Sequence, residues 1–450
     1  MASISLKQAA LWCGGKIDEK YENITFTGAN IDSRKLQPGQ LFVALVAARD
    51  GHDFIPGALE KGASAVLCNH ADGDFPAIVV DDTRIALGQI AAGLLQEMNP
   101  KIIGVTGSVG KSTTKEMITA VLATEYKVSK TPANHNNDLG MPAAVLAMDA
   151  DSQVVVLEMG MSHFGEIEYL SRMAKPQIGV IINIGTMHIE NLGSQEGILQ
   201  AKLEITKGME SSGKLLLYGD DSYLWGAREN LPVQSEYFGV ENGGCAVCAK
   251  NVTESSEGIR YTACYDGGEF AIYLPLEGQH YVPDSLAAIS AGLALGVKPE
   301  NIRKGLANFQ TMEGRQEIFE QKGCIIIKDC YNAGPESMEA ALKVLGNRTG
   351  RKIAVLGDML ELGSHSQAMH QKVGALAAGY ADVLLCYGAE SKHMLEGAKA
   401  AGMENALHFM DKKLLAEELK ALAKPGDVLL FKGSRGMKME QALEYYLEER

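Results

Sequence analysis

The chain has no run of apolar residues long enough to cross a bilayer. Its first residues, Met1 to Lys7, show no basic stretch followed by an apolar one, so no secretory signal is expected. Positive charge is in short supply. The 42 Lys and Arg stand against 56 Asp and Glu, a formal net charge of −14. That argues against nucleic acid as the main partner, which would favour a basic surface. A phosphorylated small ligand remains compatible, because one local loop can bind it inside an acidic protein. Low-complexity tracts and solenoid-period repeats are missing. Cysteine is modest, eight residues in 450, and several sit in strand-like apolar runs (Cys324, Cys386), which reads as reduced cytoplasmic thiols. Cys245-Ala-Val-Cys248 has metal-ligand spacing but no second matched pair, so it reads as two thiols on a β segment.

What is present points to several packed cores. Apolar residues make up 46% of a chain longer than one usual domain, so two or three domains are expected. The pattern divides into an α/β unit over 1–98, a central unit over 99–313 and a third over 314–450. Asn99-Pro100 marks the first boundary. The central unit carries apolar strand runs at 102–105, 154–157, 178–182 and 215–218 with helical stretches between them, which predicts a mostly parallel sheet. Short alternating segments over 246–274 predict an antiparallel extension, and a helix over 285–295 closes the unit. In the third unit, runs at 325–327, 353–356, 383–386 and 428–431 alternate with helices, a doubly wound pattern whose ligand edge lies beyond the strand C-termini. In the first unit the pattern predicts a strand over 41–45, helices over 54–61 and 85–98, and a short strand over 65–67.

The most specific motif is Gly104-Val-Thr-Gly-Ser-Val-Gly-Lys-Ser-Thr-Thr-Lys115, set between an apolar strand run and a helical one. Small residues let backbone N–H groups approach phosphate oxygens, and the helix N-terminus adds positive partial charge. Lys111 would reach the terminal phosphates and the Ser112 hydroxyl would ligate Mg²⁺. The spacing departs from the common phosphate loop: Val105 stands where the early glycine is usual. Glu158 ends the strand run 154–157, beside this loop, where a carboxylate can hold Mg²⁺. His188 follows the next strand, and reads equally as a metal ligand or a structural histidine. Lys202, in Gln200-Ala-Lys-Leu-Glu-Ile205, reads by pattern as an ordinary helix-surface lysine. The amide-rich run Asn134-His-Asn-Asn-Asp138 offers donors and acceptors for a nucleotide or sugar, or simply makes a turn.

The order and spacing of these residues resemble the Mur ligase family over nearly the whole chain. The resemblance draws on Asp32-Ser33-Arg34-Lys35, Pro38–Leu45 and Asp50–Phe54, and on Asn134–Pro142. It draws also on Gly-Thr-Met-His188-Ile-Glu, Gly314-Arg315, Asp329-Cys-Tyr-Asn332, Leu356–Gly363 with His370, and Lys432-Gly-Ser-Arg435. It implies a small α/β uridine-nucleotide domain, a central phosphate-loop ATPase domain and a C-terminal Rossmann-like domain that binds a dipeptide. The implied activity is ATP-dependent formation of an amide between a UDP-N-acetylmuramoyl-tripeptide and D-alanyl-D-alanine, in cytoplasmic peptidoglycan synthesis, by a monomer. By the same resemblance Lys111, Glu158, His188 and Lys202 are catalytic. ATP would lie on Gly107, Ser108, Val109, Gly110, Lys111, Ser112 and Thr113, with Arg315, Asp329, Asn332 and Asp284. Two Mg²⁺ would use Ser112, Glu158, His188 and Lys202, the last as a carbamate. Ser33, Arg34, Asn136, Asn137, Asp358, His370, Lys432 and Ser434 would meet substrate.

The chain also departs from the family pattern. Tyr281 and Asp284 replace two asparagines, one of which usually touches adenine. Gly334 stands in an Asn-Ala-Asn-Pro type motif, and Val46-Ala-Ala-Arg49 replaces a Lys-Gly-Glu-like segment. Two other readings stay open: a related ligase with a different amine acceptor, and a non-catalytic nucleotide-binding paralogue.

Overall fold

A computed structural model describes residues 1–133 and 135–448; Asn134 of the amide-rich loop lies outside them. In the first domain, strands Ala29–Asn30, Leu41–Val43, Ala65–Cys68 and Ala77–Val79 pair in parallel and in chain order. Parallel strands need cover on both faces. Helix Ile55–Glu60 packs its Ile55 and Ala58 over Phe42, Val66 and Cys68. Helices Leu6–Cys13 and Thr83–Met98 cover Leu41, Val43 and Leu67 on the other side. The helix expected from residue 54 is preceded by a tight turn, Gly51–Phe54. The one expected from 85 begins at Thr83, because the Asp82 carboxylate caps the N–H groups of Arg84 and Ile85.

The central domain is built on a nine-stranded sheet. Its first strand in the chain, Lys101–Thr106, lies between Val154–Glu158 and Ile178–Ile181, parallel to both. The chain first builds outward through Val128–Lys130 and Val154–Glu158. It then crosses back to Ile178–Ile181, Lys214–Tyr218 and Gln234–Gly239. This reversal opens a crevice at the C-terminal end of Lys101–Thr106, where α/β sheets bind ligands. Strands Val247–Ser255, Gly258–Tyr265 and Gly268–Leu274 form the antiparallel extension. The closing helix spans Tyr281–Ala294, four residues earlier than its apolar run predicts. Pro283 is tolerated there because a first-turn residue needs no N–H.

The C-terminal domain holds a six-stranded sheet ordered Glu317–Gln321, Cys324–Asp329, Val428–Lys432, Lys352–Gly357, Val383–Tyr387, Ala406–Phe409. Only the first is antiparallel. Helices Pro335–Gly346, Ser366–Tyr380 and Lys392–Ala400 cover one face. Lys412–Leu422 and Glu440–Leu447 cover the other. The return of Val428–Lys432 to the middle of the sheet gathers its loop with those after Asp329 and Gly357. Among the described residues no helix is long and apolar enough to cross a membrane.

Candidate active site

The phosphate loop turns at Gly110, whose φ is +86° and which heads the helix Lys111–Leu122. A Cβ there would stand 2.7 Å from the Asp284 carboxylate, so both conformation and space require glycine. Asn183, from the end of the neighbouring strand, fixes the loop. Its Oδ1 accepts from the N–H groups of Ser108 (3.0 Å) and Val109 (2.9 Å), and its Nδ2 donates to the Val109 carbonyl (2.9 Å). Lys111 curls back over the loop, its Nζ donating to the carbonyls of Gly107 (2.7 Å) and Ser108 (3.1 Å). Burial pulls its ammonium below the ordinary lysine value; the Glu158 charge opposes this and that of Arg315 adds to it.

Glu158 is 2% exposed. Its Oε1 accepts from Asn136 Nδ2 at 2.9 Å, and its backbone N–H donates to Thr131 Oγ1 at 2.9 Å. The other oxygen, Oε2, is buried without a hydrogen-bond partner among the described residues. The nearest cation is Lys115, fully buried one helical turn beyond Lys111, at 3.8 Å. Lys115 Nζ itself donates to the Thr131 carbonyl at 2.6 Å. No group of three or more His, Cys, Asp or Glu converges as a metal site among the described residues. A carboxylate oxygen left free in the same cavity wall as the Ser112 hydroxyl nonetheless fits Mg²⁺, which takes one or two protein oxygens and completes its shell with phosphate and water.

The C-terminal domain supplies the roof. Arg315 Nη2 donates to Ser112 Oγ at 2.9 Å, and its guanidinium lies 4.1 Å from the centroid of the Tyr331 ring. Lys432, 2% exposed, donates to Asp329 Oδ2 (2.5 Å) and to the Asn332 carbonyl (3.0 Å). Glu336 accepts from both the N–H and the hydroxyl of Thr186, each at 2.9 Å. Glu361 Oε2 lies 2.8 Å from His188 Nδ1 without forming an aligned hydrogen bond. Gly334, the departure from the Asn-Ala-Asn-Pro motif, lets the domain settle on Met187, whose Cγ would be 3.0 Å from a Cβ there. On the opposite side, Arg84 of the first domain pairs with Asp138 of the amide-rich loop at 2.6 Å.

These groups wall one cavity of about 1160 Å³. Of the sequence-expected residues it collects Ser108 to Thr113, Asn136, Asn137, Glu158, His188 and Asp284. From the third domain come Arg315, Asp329, Asn332 and Lys432. Gly107, Ser33 and Arg34 are not part of the cavity wall; the Arg34 guanidinium is paired with Asp32 at 2.8 Å. Three expected substrate contacts are also outside the wall, and each is committed to the chain. Asp358 accepts from the N–H groups of Ser391 (2.7 Å) and Glu390 (3.2 Å). His370, fully buried, accepts at Nε2 from the Met359 N–H and lies 2.7 Å from the Ser366 carbonyl through Nδ1. Ser434 Oγ bridges the Leu360 N–H and the Ala333 carbonyl. These three shape the loop Asp358–Leu360 instead of facing the cavity.

Lys202 is not a surface lysine. The helix Gln195–Leu203 turns it inward, where it is 2% exposed. Burial drives its ammonium well below the ordinary value, and the Lys111 charge acts in the same direction. Burial of this kind favours the neutral amine, the form that reacts with CO₂.

Asp284 packs behind the loop, accepting from Thr114 Oγ1 at 2.9 Å. Burial pushes its carboxyl up to about 8, against the pull of Thr114 and Arg315. The folded chain therefore holds that proton more tightly than the unfolded one, whose carboxyl titrates near ~4. Stability should fall as pH rises through this window and level off above it. Asp284→Asn keeps the shape and removes the titration. Its melting temperature should exceed the native value by a margin that widens between about pH 5 and pH 8. A margin that stays constant with pH would rule out a titrating Asp284.

Asn183, Lys115, Glu336, Glu361 and Arg84 carry no motif strong enough to be singled out from sequence. Only Lys115 left a trace, standing one helical turn after Lys111 on a helix face that proves to be buried.

A phosphate loop in a sheet crevice, a free carboxylate oxygen opposite it and a third domain reaching in with an arginine define a nucleotide-dependent phosphoryl-transfer enzyme of three α/β domains. The chain belongs to the Mur ligase family. Residues 25–94 match the Mur ligase family catalytic domain, 105–292 the Mur ligase middle domain, and 314–435 the Mur ligase glutamate ligase domain. It is 41% identical to the UDP-N-acetylmuramoyl-tripeptide–D-alanyl-D-alanine ligase of Bacillus subtilis, over 97% of this chain and 96% of that one. It is 34% identical to the Escherichia coli enzyme of the same name, over 98% of each. The crystal structure of MurF from Acinetobacter baumannii superposes with a TM-score of 0.92 at 31% identity over 100% of both chains. That of MurF from Thermotoga maritima in complex with ADP gives 0.82 at 29% identity, over 93% of this chain and 97% of that one.

Proposed function

We propose that this chain is an ATP-dependent ligase that joins D-alanyl-D-alanine to UDP-N-acetylmuramoyl-tripeptide, a cytoplasmic step of peptidoglycan synthesis. The observation that carries the chemistry is that Lys111, Ser112 and Glu158, whose Oε2 has no partner among the described residues, line one cavity roofed by Arg315. The names of the full-length relatives support the substrates. The units 1–98, 99–313 and 314–450 would bind the uridine nucleotide, ATP and the dipeptide in turn. The chain is taken to act as a monomer.

The tripeptide carboxylate attacks the γ-phosphorus of ATP, and ADP leaves. Lys111, released from the Gly107 and Ser108 carbonyls, bears on the transferring oxygens, and Arg315 turns from Ser112 toward the same charge. Bound Mg²⁺ would offset the charge of the phosphate oxygens, one ion on Ser112 and Glu158 and a second on His188 and a carbamate of Lys202. Asn136 holds the Glu158 carboxylate in place. The acyl phosphate then meets the dipeptide amine, an amide forms and phosphate leaves. Contacts from the C-terminal domain to Thr186 and His188 help keep water from the acyl phosphate.

Phosphate release should require ATP, UDP-N-acetylmuramoyl-tripeptide and D-alanyl-D-alanine together, and Arg34→Ala should raise KM for the uridine substrate. Release indifferent to the dipeptide would overturn the acceptor. An unchanged KM would remove Arg34 from the uridine site.

A further inference from the structure

Glu336 lies in the first turn of helix Pro335–Gly346 and reaches across to the central domain. One oxygen is satisfied twice over by Thr186. The other, Oε2, is buried and has no partner among the described residues. A carboxylate oxygen withdrawn from water and left unbonded is costly, and such an atom in a cavity wall calls for a donor. Two nearby donors are already engaged. The Ser337 hydroxyl donates to the Gly334 carbonyl, and Lys432 serves Asp329 and Asn332. There is little room for rearrangement on the central-domain side, where a Cβ on Gly185 would come within 3.0 Å of the Glu336 carboxyl.

A ligand entering the cavity can supply the missing donor. At their reacting ends, ATP and the tripeptide carboxylate bring acceptors only. The amine component brings N–H donors and positive charge. We propose that Glu336 Oε2 receives the ammonium group of the incoming dipeptide and takes one of its protons; this rests on the ligase reading above. The freed lone pair attacks the acyl-phosphate carbonyl and the C–N bond forms. The C–O bond to phosphate breaks, and phosphate leaves with that electron pair. The second amine proton passes to the departing phosphate, and Glu336 later returns its own to solvent. Thr186 fixes the opposite oxygen, so domain closure itself aims the base. Both partners come from the elements that bring the C-terminal domain against the loop bearing His188.

Two variants of the full chain separate this role from simple positioning. Glu336→Gln keeps an oxygen for Thr186 but replaces the free acceptor with an NH₂ group, which only donates. Glu336→Ala removes both. Single-turnover ADP formation from ATP and UDP-N-acetylmuramoyl-tripeptide, without dipeptide, reads the first step. For Glu336→Gln that rate should stay within about 2-fold of native, while kcat/KM for D-alanyl-D-alanine falls roughly 100-fold or more. Glu336→Ala should also slow the first step, through the loosened Thr186 loop. Native dipeptide kinetics in Glu336→Gln would overturn the proposal. So would an equal loss in both steps, which would leave Glu336 a positioning residue only. Absence of ADP formation in the native enzyme would instead overturn the ligase reading, and this proposal with it.

Discussion

Lys111→Ala should reduce kcat/KM by at least ~3 kcal/mol of transition-state stabilisation, the range for losing one preorganised group aimed at developing charge. The side chain is held, without ligand, by two carbonyls of its own loop. Those contacts keep it folded over the site, and burial weakens its ammonium while Glu158 restores part of the charge. Its removal leaves the Asn183 bonds that hold the loop. The melting temperature should therefore change little while turnover collapses. Single-turnover ADP formation is the measurement, since it isolates phosphoryl transfer from the later amide step. A variant with near-native phosphoryl transfer would remove Lys111 from the reaction.

The second large effect is expected at Lys202. A buried lysine whose charged neighbour is another cation gains nothing from remaining an ammonium. Converted to a carbamate, it becomes an oxygen donor suited to a hard ion. Lys202→Ala should lower activity on the order of 10-fold to 100-fold, as when groups that organise a metal site are lost. A short carboxylic acid added to the variant should restore part of it by placing an oxygen donor where the carbamate stood. Mass spectrometry of the native chain under bicarbonate, without denaturation, should find the added CO₂. Free-amine reactivity of Lys202 in fully active, bicarbonate-equilibrated enzyme would end this assignment.

The motif residues were legible because phosphate chemistry leaves local marks. A loop of small residues between strand and helix can be read in one stretch, and so can an acidic residue at the end of an apolar strand. Lys202 shows the limit of that reading. Its helix has neighbouring charges suited to a solvent face, and nothing local says that Lys202 is turned into the core. Asp358, His370 and Ser434 show the converse. Their motif is distinctive, yet their polar atoms serve neighbouring loops of the C-terminal sheet, not the cavity. The strand Gln234–Gly239 escaped notice because its first residues are polar, and pairing with Lys214–Tyr218 decides its conformation.

By itself the sequence determined three α/β domains, the parallel and doubly wound sheets, and the phosphate loop with Glu158. Each rests on spacing within a few residues, which is where periodicity and turn chemistry act. Tertiary structure alone decided which carboxylate oxygens are left free and which lysines lose water. It also decided how Arg315, Glu336 and Glu361 meet the central domain. Desolvation and hydrogen-bond satisfaction depend on every neighbour in space, and residues 150 positions apart, such as Thr186 and Glu336, share a bond that no local pattern encodes.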